Sequence, residues 1–352
     1  MTIFALETSC DETSAAVVCD GRVLSNIVSS QVELHAEYGG VVPELATRQH
    51  LKNFLPVAHS ALADAGIGIT DIDGVAATRG PGLPAALMVG LKAAQAMAFV
   101  LRKPFLGIHH HEAHLYSPWI SGNPPRADFD AFQPNVSLIV SGGHTLLVHL
   151  RGEFDHTVLG TTLDDAAGEC FDKVGKLLGL GYPAGPQIDA LAAEGNAAAF
   201  DFPRPMLADS NDDFSFAGLK TSVRYFLQRH PDLPRNPQTM RDLCASVQAA
   251  IVEVLVKKTM RAAERLGVGC VTASGGVTCN SALRSLLAAA CRRQGLLLRL
   301  AEAQLCTDNA AMIGILAERK LRQGSPPTSC DAEIEPGWTL SGAGALAGAS
   351  AD

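Results

Sequence analysis

The first thirty residues show the two-residue alternation and short apolar runs that are typical of β-strands. A turn signal, Asp20-Gly21, separates the second run from the third. The same pattern recurs in mid-chain, where two apolar runs flank Ser141-Gly142-Gly143 and a third short strand follows. The predicted strands of the two groups are residues 3–6, 15–19 and 23–28, and residues 136–140, 146–150 and about 156–159. The sequence therefore predicts a three-strand meander that occurs twice.

After each meander, helical periodicity alternates with short apolar runs, which indicates a duplicated α/β fold. Further strands are predicted at 71–78, 105–108, 270–273 and 296–300. Helices are predicted at 43–65, from the loop after Gly82 to residue 102, from 110, at 163–178 and 185–193, from 214, at 243–266, from 280 and at 307–322. The chain after Gln323 is rich in Pro, Gly, Ala and Ser, and we expect it to be loose, at least beyond Ser341.

The composition is that of a compact protein with more than one domain. The 352 residues are 47% apolar and 18% charged. The sequence contains no stretch of 18 uninterrupted apolar residues, so we expect no membrane span. The first ten residues lack the basic start of a secretory signal. Nine cysteines without any Cys-x-x-Cys pair predict a reducing, cytoplasmic location.

The formal net charge of −8 argues against a chain that binds nucleic acid tightly by itself, because such proteins carry a strong basic surface. Local basic groups such as Arg102-Lys103 are better interpreted as solvated helix faces. If the substrate is a nucleic acid, we expect a partner subunit to supply part of the positive charge.

The segment after the strand at 105–108 concentrates four of the eleven histidines within six residues, 109–114. On a helix, His110 and His114 share a face, and so do His111 and His114. Two neutral imidazoles on one face can bind one ion at about 2.0–2.1 Å and leave positions for a carboxylate and a substrate. The spacing does not choose between the two pairs. Solvated histidines at a polar helix start are the alternative, which the clustering makes the weaker hypothesis.

A metalloprotease helix is excluded, because the His-Glu-x-x-His pattern requires a second histidine four residues after His111. That position is Leu115.

Glycine-rich turns follow predicted strands at Ser141-Gly142-Gly143 and Ser274-Gly275-Gly276. Glycine permits close backbone approach and leaves amides free to face phosphate oxygens. An ordinary hairpin turn explains one such motif. Their recurrence at strand ends favours a phosphate-binding cradle and a nucleotide in a cleft between two lobes.

With these residues, the sequence from Ile3 to about Arg322 resembles the TsaD family of tRNA adenosine threonylcarbamoyltransferases, formerly described as glycoproteases. The resemblance rests on many motifs that occur in one order. They are Glu7-Thr-Ser-Cys-Asp-Glu-Thr-Ser14, Gly39-Gly-Val-Val-Pro-Glu44, Gly80-Pro-Gly-Leu83, His110-x-Glu-x-His114, Val140-Ser-Gly-Gly-His-Thr145, Asp164-Asp-Ala-Ala-Gly-Glu169, Phe171-Asp-Lys173, Phe214-Ser-Phe-Ala-Gly-Leu-Lys-Thr221, Ser274-Gly-Gly-Val277 with Asn280, and Cys306-Thr-Asp-Asn309.

The resemblance implies a duplicated ribonuclease-H-like fold of the actin/hexokinase/Hsp type (ASKHA), with two lobes around a nucleotide cleft. Residues 1–108 with 301–340 are expected to form the N-terminal lobe. Residues 109–300 are expected to form the C-terminal lobe with a helical insertion, and residues 341–352 a loose tail.

The resemblance also implies that His110 and His114, rather than His111, bind one divalent ion, with Asp308 as the third ligand. Histidines with a carboxylate suit Fe2+ or Zn2+ better than Mg2+. From its sequence position alone, Asp308 is equally well explained as a first-turn acid of the helix predicted from Thr307.

A nucleotide site is implied in the same way. The residues that would bind the adenylate are Ile139, Val140, Ser141, Gly142, Gly143, Asp172, Gly185, Asp189 and Asn280. Without the resemblance, Asp172 is half of an exposed Asp-Lys pair, Asp189 a solvated helix acid and Asn280 a helix N-cap. Ala184 replaces a glycine that the family usually has before Gly185, so a close backbone approach there must accommodate an additional methyl group.

The implied activity is transfer of a threonylcarbamoyl group from threonylcarbamoyl-AMP to the exocyclic amine of the adenosine 3′ of the anticodon, in tRNAs that read codons starting with A. ATP is an alternative occupant of the nucleotide site. Implied partners are tRNA and TsaB-like and TsaE-like accessory proteins, without a membrane. Asp11 and Glu12, in the polar loop after the first strand, are our candidates to accept the amine proton; a solvated turn is the alternative.

Other functions remain as alternatives at this point. A carbamoyltransferase that acts on another acceptor shares the fold but usually carries additional domains. An actin-like ATPase or a sugar kinase would need magnesium and no histidine pair. A non-catalytic scaffold of the same fold would not need His110, His114 and Asp308 together.

Overall fold

The computed structural model describes residues 1–340, which form two compact units. Unit 1 comprises Met1–Phe132 and the chain from Glu302 onward, and unit 2 comprises Gln133–Ala301. Residues 341–352, for which we expect a loose tail, lie outside the described residues.

The strands and helices alternate along the chain as in an α/β protein. The strands are β1 Thr2–Glu7, β2 Glu12–Cys19, β3 Arg22–Ser30, β4 Gly74–Gly80, β5 Phe105–His109, β6 Ile120–Ser121, β7 Arg126–Ala127, β8 Asn135–Val140, β9 Thr145–Gly152, β10 Asp155–Thr161, β11 Cys270–Ser274 and β12 Leu297–Leu300. The helices are α1 Val32–Ala36, α2 Pro43–Ala65, α3 Pro84–Leu101, α4 His110–Tyr116, α5 Ala167–Leu177, α6 Gly185–Ala192, α7 Ala217–Arg229, α8 Pro237–Leu266, α9 Ser281–Gln294, α10 Ala303–Cys306 and α11 Ala310–Arg322.

Both units contain a sheet with the same strand order. In unit 1 the order is β5-β4-β1-β2-β3, and β7 and β6 continue beyond β3. In unit 2 the order is β12-β11-β8-β9-β10. Each sheet has three consecutive antiparallel strands followed by two parallel ones. The repeated meander that the sequence predicts is therefore present in both units.

The two faces of the unit 1 sheet are covered by different helices. Phe4 and Val17 belong to a cluster that packs against α2 and α3. On α11, which packs on β1 and β2, Gly314 lies so close to the sheet that an added Cβ would come within 2.8 Å of Val18. Side chains that alternate along β1 and β2 thus pack against α2 and α3 on one face of the sheet and against α11 on the other.

Helix starts depend on capping side chains, and two predictions were wrong there. The helix predicted from Leu163 begins at Ala167. Asp164 precedes it and accepts the amide hydrogen of Phe216 at 2.8 Å, at the start of α7. The helix predicted from Thr307 begins at Ala310 after the N-cap Asn309. Asp308 therefore precedes the helix and is not a first-turn acid. By contrast, the range predicted for α2 is confirmed, with its proline in the first turn.

The loose tail that we predicted after Gln323 is wrong for the residues up to Leu340. The amide of Thr328 donates to the carbonyl of Phe105 at 2.8 Å, so this segment pairs with β5, the edge strand of the sheet. Further on, the amide of Glu335 donates to the carbonyl of Arg79 at 2.9 Å. A segment rich in small residues and proline can still form hydrogen bonds with the free backbone groups of an edge strand.

The predicted boundary between the lobes lies after residue 108, whereas unit 1 continues to Phe132. The segment after β5 packs within unit 1: α4 contacts α11, and the ring of Tyr116 stacks with that of Phe132. Among residues 1–340, α3 is long and apolar enough to cross a membrane, with a mean hydropathy of 1.5 over 18 residues. It packs on β4 and α2.

Candidate metal centre

The site in unit 1 is built at the edge where three parallel strands end. Strands β1, β4 and β5 are neighbours and run in the same direction. Their carboxyl ends bring together Glu7, Thr78 and His109, and α4 begins directly after His109. Because β5 runs into α4 without a loop, the histidines of the first helical turn lie at this edge.

His109 has a structural role at the start of α4. Its Nδ1 accepts the amide hydrogen of Glu112 at 3.3 Å, as an N-cap does. Its Nε2 lies 3.2 Å from the carbonyl oxygen of Trp338, which can only accept, so Nε2 carries the hydrogen. The start of the helix is therefore fixed by the first of the four clustered histidines.

His110, His114 and Asp308 converge, with ligand atoms that all lie within 4.8 Å of one another. Oδ1 of Asp308 is 3.4 Å from Nε2 of His110 and 3.2 Å from Nε2 of His114. Ligand atoms about 2.1 Å from one ion and about 90–110° apart around it would be separated by about 3.0–3.4 Å. The two distances to Asp308 therefore fit a single shared divalent ion. His111, the alternative that the spacing left open, is not in this group.

A buried carboxylate supports His110 from behind. Oε2 of Glu7 lies 3.0 Å from Nδ1 of His110, and the Ser9 hydroxyl lies 3.2 Å from the same atom. Glu7 is itself fixed, because the Thr78 hydroxyl and the Ser9 amide donate to its two oxygens, each at 2.5 Å. A hydrogen on Nδ1 that points to Glu7 leaves the Nε2 lone pair directed at Asp308 and available to a metal.

The charges of this cluster are strongly linked. Burial would lower the pKa of His110, but the carboxylates of Asp308 and Glu7 raise it well above its ordinary value. Burial would raise the pKa of Asp308, but His110 holds it well below its ordinary value. Burial lowers the pKa of His114, which keeps this imidazole neutral. In the chain without an ion, a proton on His110 thus supplies the positive charge that a divalent cation would supply when bound.

Asp11 and Glu12, our candidates for a proton acceptor, lie where the loop after β1 enters β2: Asp11 is the last loop residue and Glu12 the first residue of β2. They do not form a solvated turn, since Asp11 is buried. Burial, with Asp11 and Asp308 nearby, raises the pKa of Glu12 well above its ordinary value. The Ser30 hydroxyl donates to Oε1 of Glu12 at 3.3 Å. A raised pKa makes the ionised carboxylate a stronger base than an ordinary glutamate.

Sequence reasoning missed the roles of Glu7, Ser9 and Thr78. All three lie at or next to the ends of the parallel strands, where polar residues follow buried apolar ones. An acid at the end of a buried strand was the available signal for Glu7.

The candidate nucleotide residues all lie in unit 2, around the ends of β8 and β11. The turn between β8 and β9 is closed by the Ser141 amide, which donates to the His144 carbonyl at 2.9 Å. Gly142 and Gly143 are exposed, and an added Cβ on either would meet nothing within 4 Å. The turn predicted from Ser141-Gly142-Gly143 is present, with open space beside its glycines.

Two other glycines approach this turn closely. A Cβ on Gly168, in the first turn of α5, would lie 2.5 Å from the Ser141 carbonyl oxygen. A Cβ on Gly275, which has a φ of +91°, would lie 2.3 Å from the Val140 carbonyl oxygen. The end of β8 is therefore enclosed by the start of α5 and by the Ser274-Gly275-Gly276 turn. Carboxyl ends of parallel strands are where open α/β sheets bind ligands.

The α5–α6 connection lies beside the same strands. Oδ1 of Asp172 accepts the amide hydrogen of Ala184 at 2.8 Å. The neighbouring Lys173 forms ion pairs with Asp165 and Glu169. A Cβ on Gly175 would come within 2.0 Å of the Ala184 methyl. The alanine before Gly185 is thus accommodated opposite a glycine.

Asp189 and Asn280 hold neighbouring elements together. Both oxygens of Asp189 accept from Ser281, at 3.0 Å from its amide and 2.8 Å from its hydroxyl, so Asp189 is not simply solvated. Asn280 is the N-cap of α9, as the sequence alone suggested, and its amide nitrogen donates to Gln248 at 2.6 Å. Each of the two side chains therefore has a structural partner within unit 2.

The sequence matches one family over most of its length. The family model of TsaD, tRNA N6-adenosine threonylcarbamoyltransferase, matches residues 22–315. A protein of that name from Syntrophotalea carbinolica is 48% identical over 345 residues, which cover 98% of both chains. One from Chlorobaculum tepidum is 50% identical over 336 residues, which cover 92% of this chain and 93% of the relative.

Solved structures of low sequence identity share the fold. Full-length HypF in a phosphate- and nucleotide-bound form matches 92% of this chain and 47% of its own, with a TM-score of 0.59 and 12% identity. Component A of the (R)-2-hydroxyglutaryl-CoA dehydratase of Acidaminococcus fermentans matches 92% of this chain and 99% of its own, with a TM-score of 0.53 and 13% identity. Together with the repeated strand order, these similarities confirm the predicted duplicated ribonuclease-H-like fold.

Proposed function

Because the chain belongs to the TsaD family of tRNA N6-adenosine threonylcarbamoyltransferases, we propose that it modifies the adenosine 3′ of the anticodon in tRNAs that read codons starting with A. The donor is threonylcarbamoyl-AMP. The exocyclic amine of the adenosine attacks the carbamoyl carbon, the bond to the phosphate oxygen breaks, and AMP leaves as an anion. The amine gives up one proton in the same process.

The centre of unit 1 would hold Fe2+ or Zn2+ through His110, His114 and Asp308, because two imidazoles and a carboxylate suit these ions. Such an ion would stabilise negative charge on the departing phosphate. Glu7 keeps His110 in the tautomer that binds metal through Nε2. Thr78 and Ser9 hold the Glu7 carboxylate in place, so that the orientation of the imidazole is set before substrate binds.

The adenylate part of the donor is assigned to unit 2. The exposed amides of Gly142 and Gly143 are suitable for phosphate oxygens, and residues 139–141 form the strand end beside them. Asp172, Gly185, Asp189 and Asn280 would contact the ribose and the base. ATP fits the same description, and competition between the adenylate and ATP for one site tests this directly.

Proton removal is assigned to the loop between β1 and β2. An exocyclic amine on an aromatic ring is a poor nucleophile, so positioning contributes more than a strong base. Glu12 is the better candidate acceptor because its pKa is raised, and Asp11 would steer the amine.

The observation that carries this proposal is the convergence of His110, His114 and Asp308 in a chain of this family. The test is His110→Ala beside His111→Ala, with transfer to tRNA and bound metal measured in the folded chain. We expect His110→Ala to lose both, and His111→Ala to retain one ion per chain. Full transfer by His110→Ala would overturn the metal role. Phosphate release from ATP without tRNA would favour an ATPase or kinase instead, and transfer to an acceptor other than tRNA would favour another carbamoyltransferase.

An accessory protein of the TsaB type is proposed as a partner on the outer face of α2 and α3. These helices border an apolar groove of about 650 Å³ whose wall includes Leu51, Phe54 and Met88. Leu51 and Leu55 are 65% and 62% exposed, which is unusual for leucines on neighbouring helical turns. A TsaE-like protein is expected as a further component. Because the net charge of this chain is −8, we expect partner proteins to contribute positive charge to tRNA binding.

The partner is tested by co-purification of a TsaB-like protein with a Leu51→Lys, Met88→Lys variant. Loss of the complex is expected, while Leu286→Lys, an exposed leucine on α9, should retain it. If the double variant retains the complex, the partner binds to a surface other than this groove.

A cytoplasmic location is proposed from the thiols. Cys244 and Cys270 are buried and unpaired, and burial raises the pKa of each to about 11. Unreactive thiols without disulfides are typical of a reducing compartment.

A further inference from the structure

The buried face of α2 contains one polar residue among small apolar ones. Its fully or largely buried residues are Ala46, His50, Val57, Ala58 and Ala61. His50 is completely buried and lies opposite Thr13 at the start of β2. An apolar residue would be sufficient to pack this helix on the sheet, so the imidazole requires another explanation.

His50 binds the main chain of the loop between β1 and β2. Its Nε2 lies 2.9 Å from the carbonyl oxygen of Cys10, which can only accept, so Nε2 carries the hydrogen. Its Nδ1 then accepts, and the Thr13 hydroxyl at 2.8 Å and the Gln31 amide nitrogen at 3.3 Å are both donors. Burial lowers the pKa of His50, which keeps the ring in this neutral form. Both ring nitrogens are therefore satisfied in one tautomer.

Three consecutive carbonyls of this loop are held by three different parts of unit 1. The Ser9 carbonyl accepts from the Leu83 amide at 2.8 Å, and the Asp11 carbonyl accepts from the Gln31 amide at 3.0 Å. Between them, the Cys10 carbonyl accepts from His50. The first and third donors are backbone groups that any residue supplies. The central donor depends on the side chain at position 50.

The segment of residues 7–12, which contains this loop, carries groups on two sides of the proposed reaction site. On one side, Glu7 and Ser9 contact Nδ1 of His110. On the other, Asp11 and Glu12 are the candidates to steer and accept the proton of the attacking amine. Rotation of the Cys10 peptide would move both groups, and small displacements of catalytic groups cost large factors in rate.

From these contacts we propose that His50 is a positioning residue of the transferase: its Nε2–H holds the Cys10 carbonyl and thereby orients the loop that supports His110 and presents Asp11 and Glu12. His50 contacts neither substrate nor metal in this role. The inference rests on the proposed function, because the loop matters only if transfer takes place at this site.

The test compares three substitutions at position 50. In His50→Gln the side-chain amide reaches the place of Nε2 and still donates to Cys10. In His50→Asn the shorter amide reaches only the place of Nδ1, near Thr13, and the donor to Cys10 is lost. His50→Leu removes both bonds. Val57→Ala is the control, since Val57 lies on the same buried face of α2 and packs in the apolar cluster that includes Phe4 and Val17.

We expect kcat for transfer to fall about tenfold or more in His50→Asn and His50→Leu, with the KM for the adenylate within about twofold of the wild type. His50→Gln should recover most of kcat. All three variants keep the ligands His110, His114 and Asp308, so each should bind one metal ion at saturating metal concentration. The affinity should be weaker in His50→Asn and His50→Leu, because the Glu7 and Ser9 contacts to His110 shift with the loop. Val57→Ala should lower the melting temperature and leave kcat unchanged.

A wild-type kcat in His50→Asn, or equal losses of kcat in His50→Gln and His50→Asn, would overturn the proposal. Either result would show that His50 acts only as a packing residue of the core. If His50→Leu does not fold, the comparison of Gln with Asn decides alone, since both retain a polar side chain. A wild-type chain that does not transfer at all would instead overturn the proposed function, and this role with it.

Discussion

Glu7 and His110 form a buried pair, with Oε2 of the carboxylate 3.0 Å from Nδ1 of the imidazole. Glu7 ends β1 and His110 begins α4, so two elements far apart in the sequence meet at this contact. Glu7 is completely buried, and His110 holds its pKa below the ordinary value although burial opposes this. The pair therefore places a permanent negative charge behind a candidate metal ligand.

Glu7→Gln is the first test of this pair. The amide retains the shape of the side chain but removes the charge that favours a hydrogen on Nδ1 of His110. We expect the affinity for Zn2+ or Fe2+ to fall about 10–100-fold, which is the usual effect of losing such a partner. The measurement is a competition titration with a chelator. Glu33→Gln, an exposed acid on α1, is the matched control and should bind metal normally; an unchanged affinity in Glu7→Gln would show that the pair has no effect on the ion.

Metal affinity should increase with pH through the neutral range. The raised pKa of His110 means that the metal-free chain keeps a proton on this ring at pH values where a free histidine is neutral. The ion must displace that proton, so the apparent affinity should rise about tenfold per pH unit below the pKa of His110 and become constant above it. Titrations at several pH values, with proton release measured by calorimetry in two buffers, check this. An affinity that is independent of pH from 6 to 8 would contradict the protonated state of His110.

The nucleotide turn of unit 2 depends on a glycine outside it. In Gly168→Ala the new methyl would lie 2.5 Å from the Ser141 carbonyl oxygen and 2.8 Å from the Cα of Gly142, both of them backbone atoms. We expect the turn to shift, a loss of stability of about 1–3 kcal/mol, and weaker binding of adenine nucleotides in an equilibrium titration.

Gly218→Ala supplies the control for this experiment. Gly218 also lies in the first turn of a helix, α7, and a Cβ there would meet nothing within 4 Å. We expect Gly218→Ala to bind nucleotide normally. If Gly168→Ala also binds nucleotide normally, the turn at residues 141–143 is not part of the nucleotide site.

Much of the fold was predictable because local signals agree with the tertiary structure. Helix α2 begins at a proline and ends before Gly66, whose φ of 67° suits a left-handed cap, so its range was visible in the sequence. The three-strand meanders were visible because their alternation is strong and their turns contain glycine. The start of α11 was not, because the polar residues around Asn309 offer several possible caps and only the hydrogen bond to the Met312 amide selects one.

The site was predictable only in part, for a physical reason. The spacing of the histidines restricted the pairs that can share an ion, but it could not choose between His110 and His111 as partners of His114. The choice depends on how α4 is rotated at the end of β5, where the His109 cap and the Glu112–Lys320 ion pair fix the helix. Glu7 and Thr78 were missed because the alignment of parallel strand ends is a tertiary property.

The segment from Ser325 to Leu340 is the basis of the last prediction. Its composition suggested a loose tail, and the structure shows hydrogen bonds from this segment to β5, β4 and α3. Besides the Thr328 and Glu335 amide bonds, the Gly107 amide donates to the Thr328 hydroxyl at 3.0 Å, and the Gln95 side chain donates to the Ala332 carbonyl at 2.7 Å. At about 1 kcal/mol for each net hydrogen bond, these four contribute about 4 kcal/mol. A chain that ends at Gly324 should therefore unfold at clearly lower urea concentration than the full chain. A chain that ends at Leu340 lacks only the residues that we expect to be loose, and its midpoint should be that of the full chain. Equal midpoints for both truncations would show that the contacts of this segment with β4, β5 and α3 add no stability.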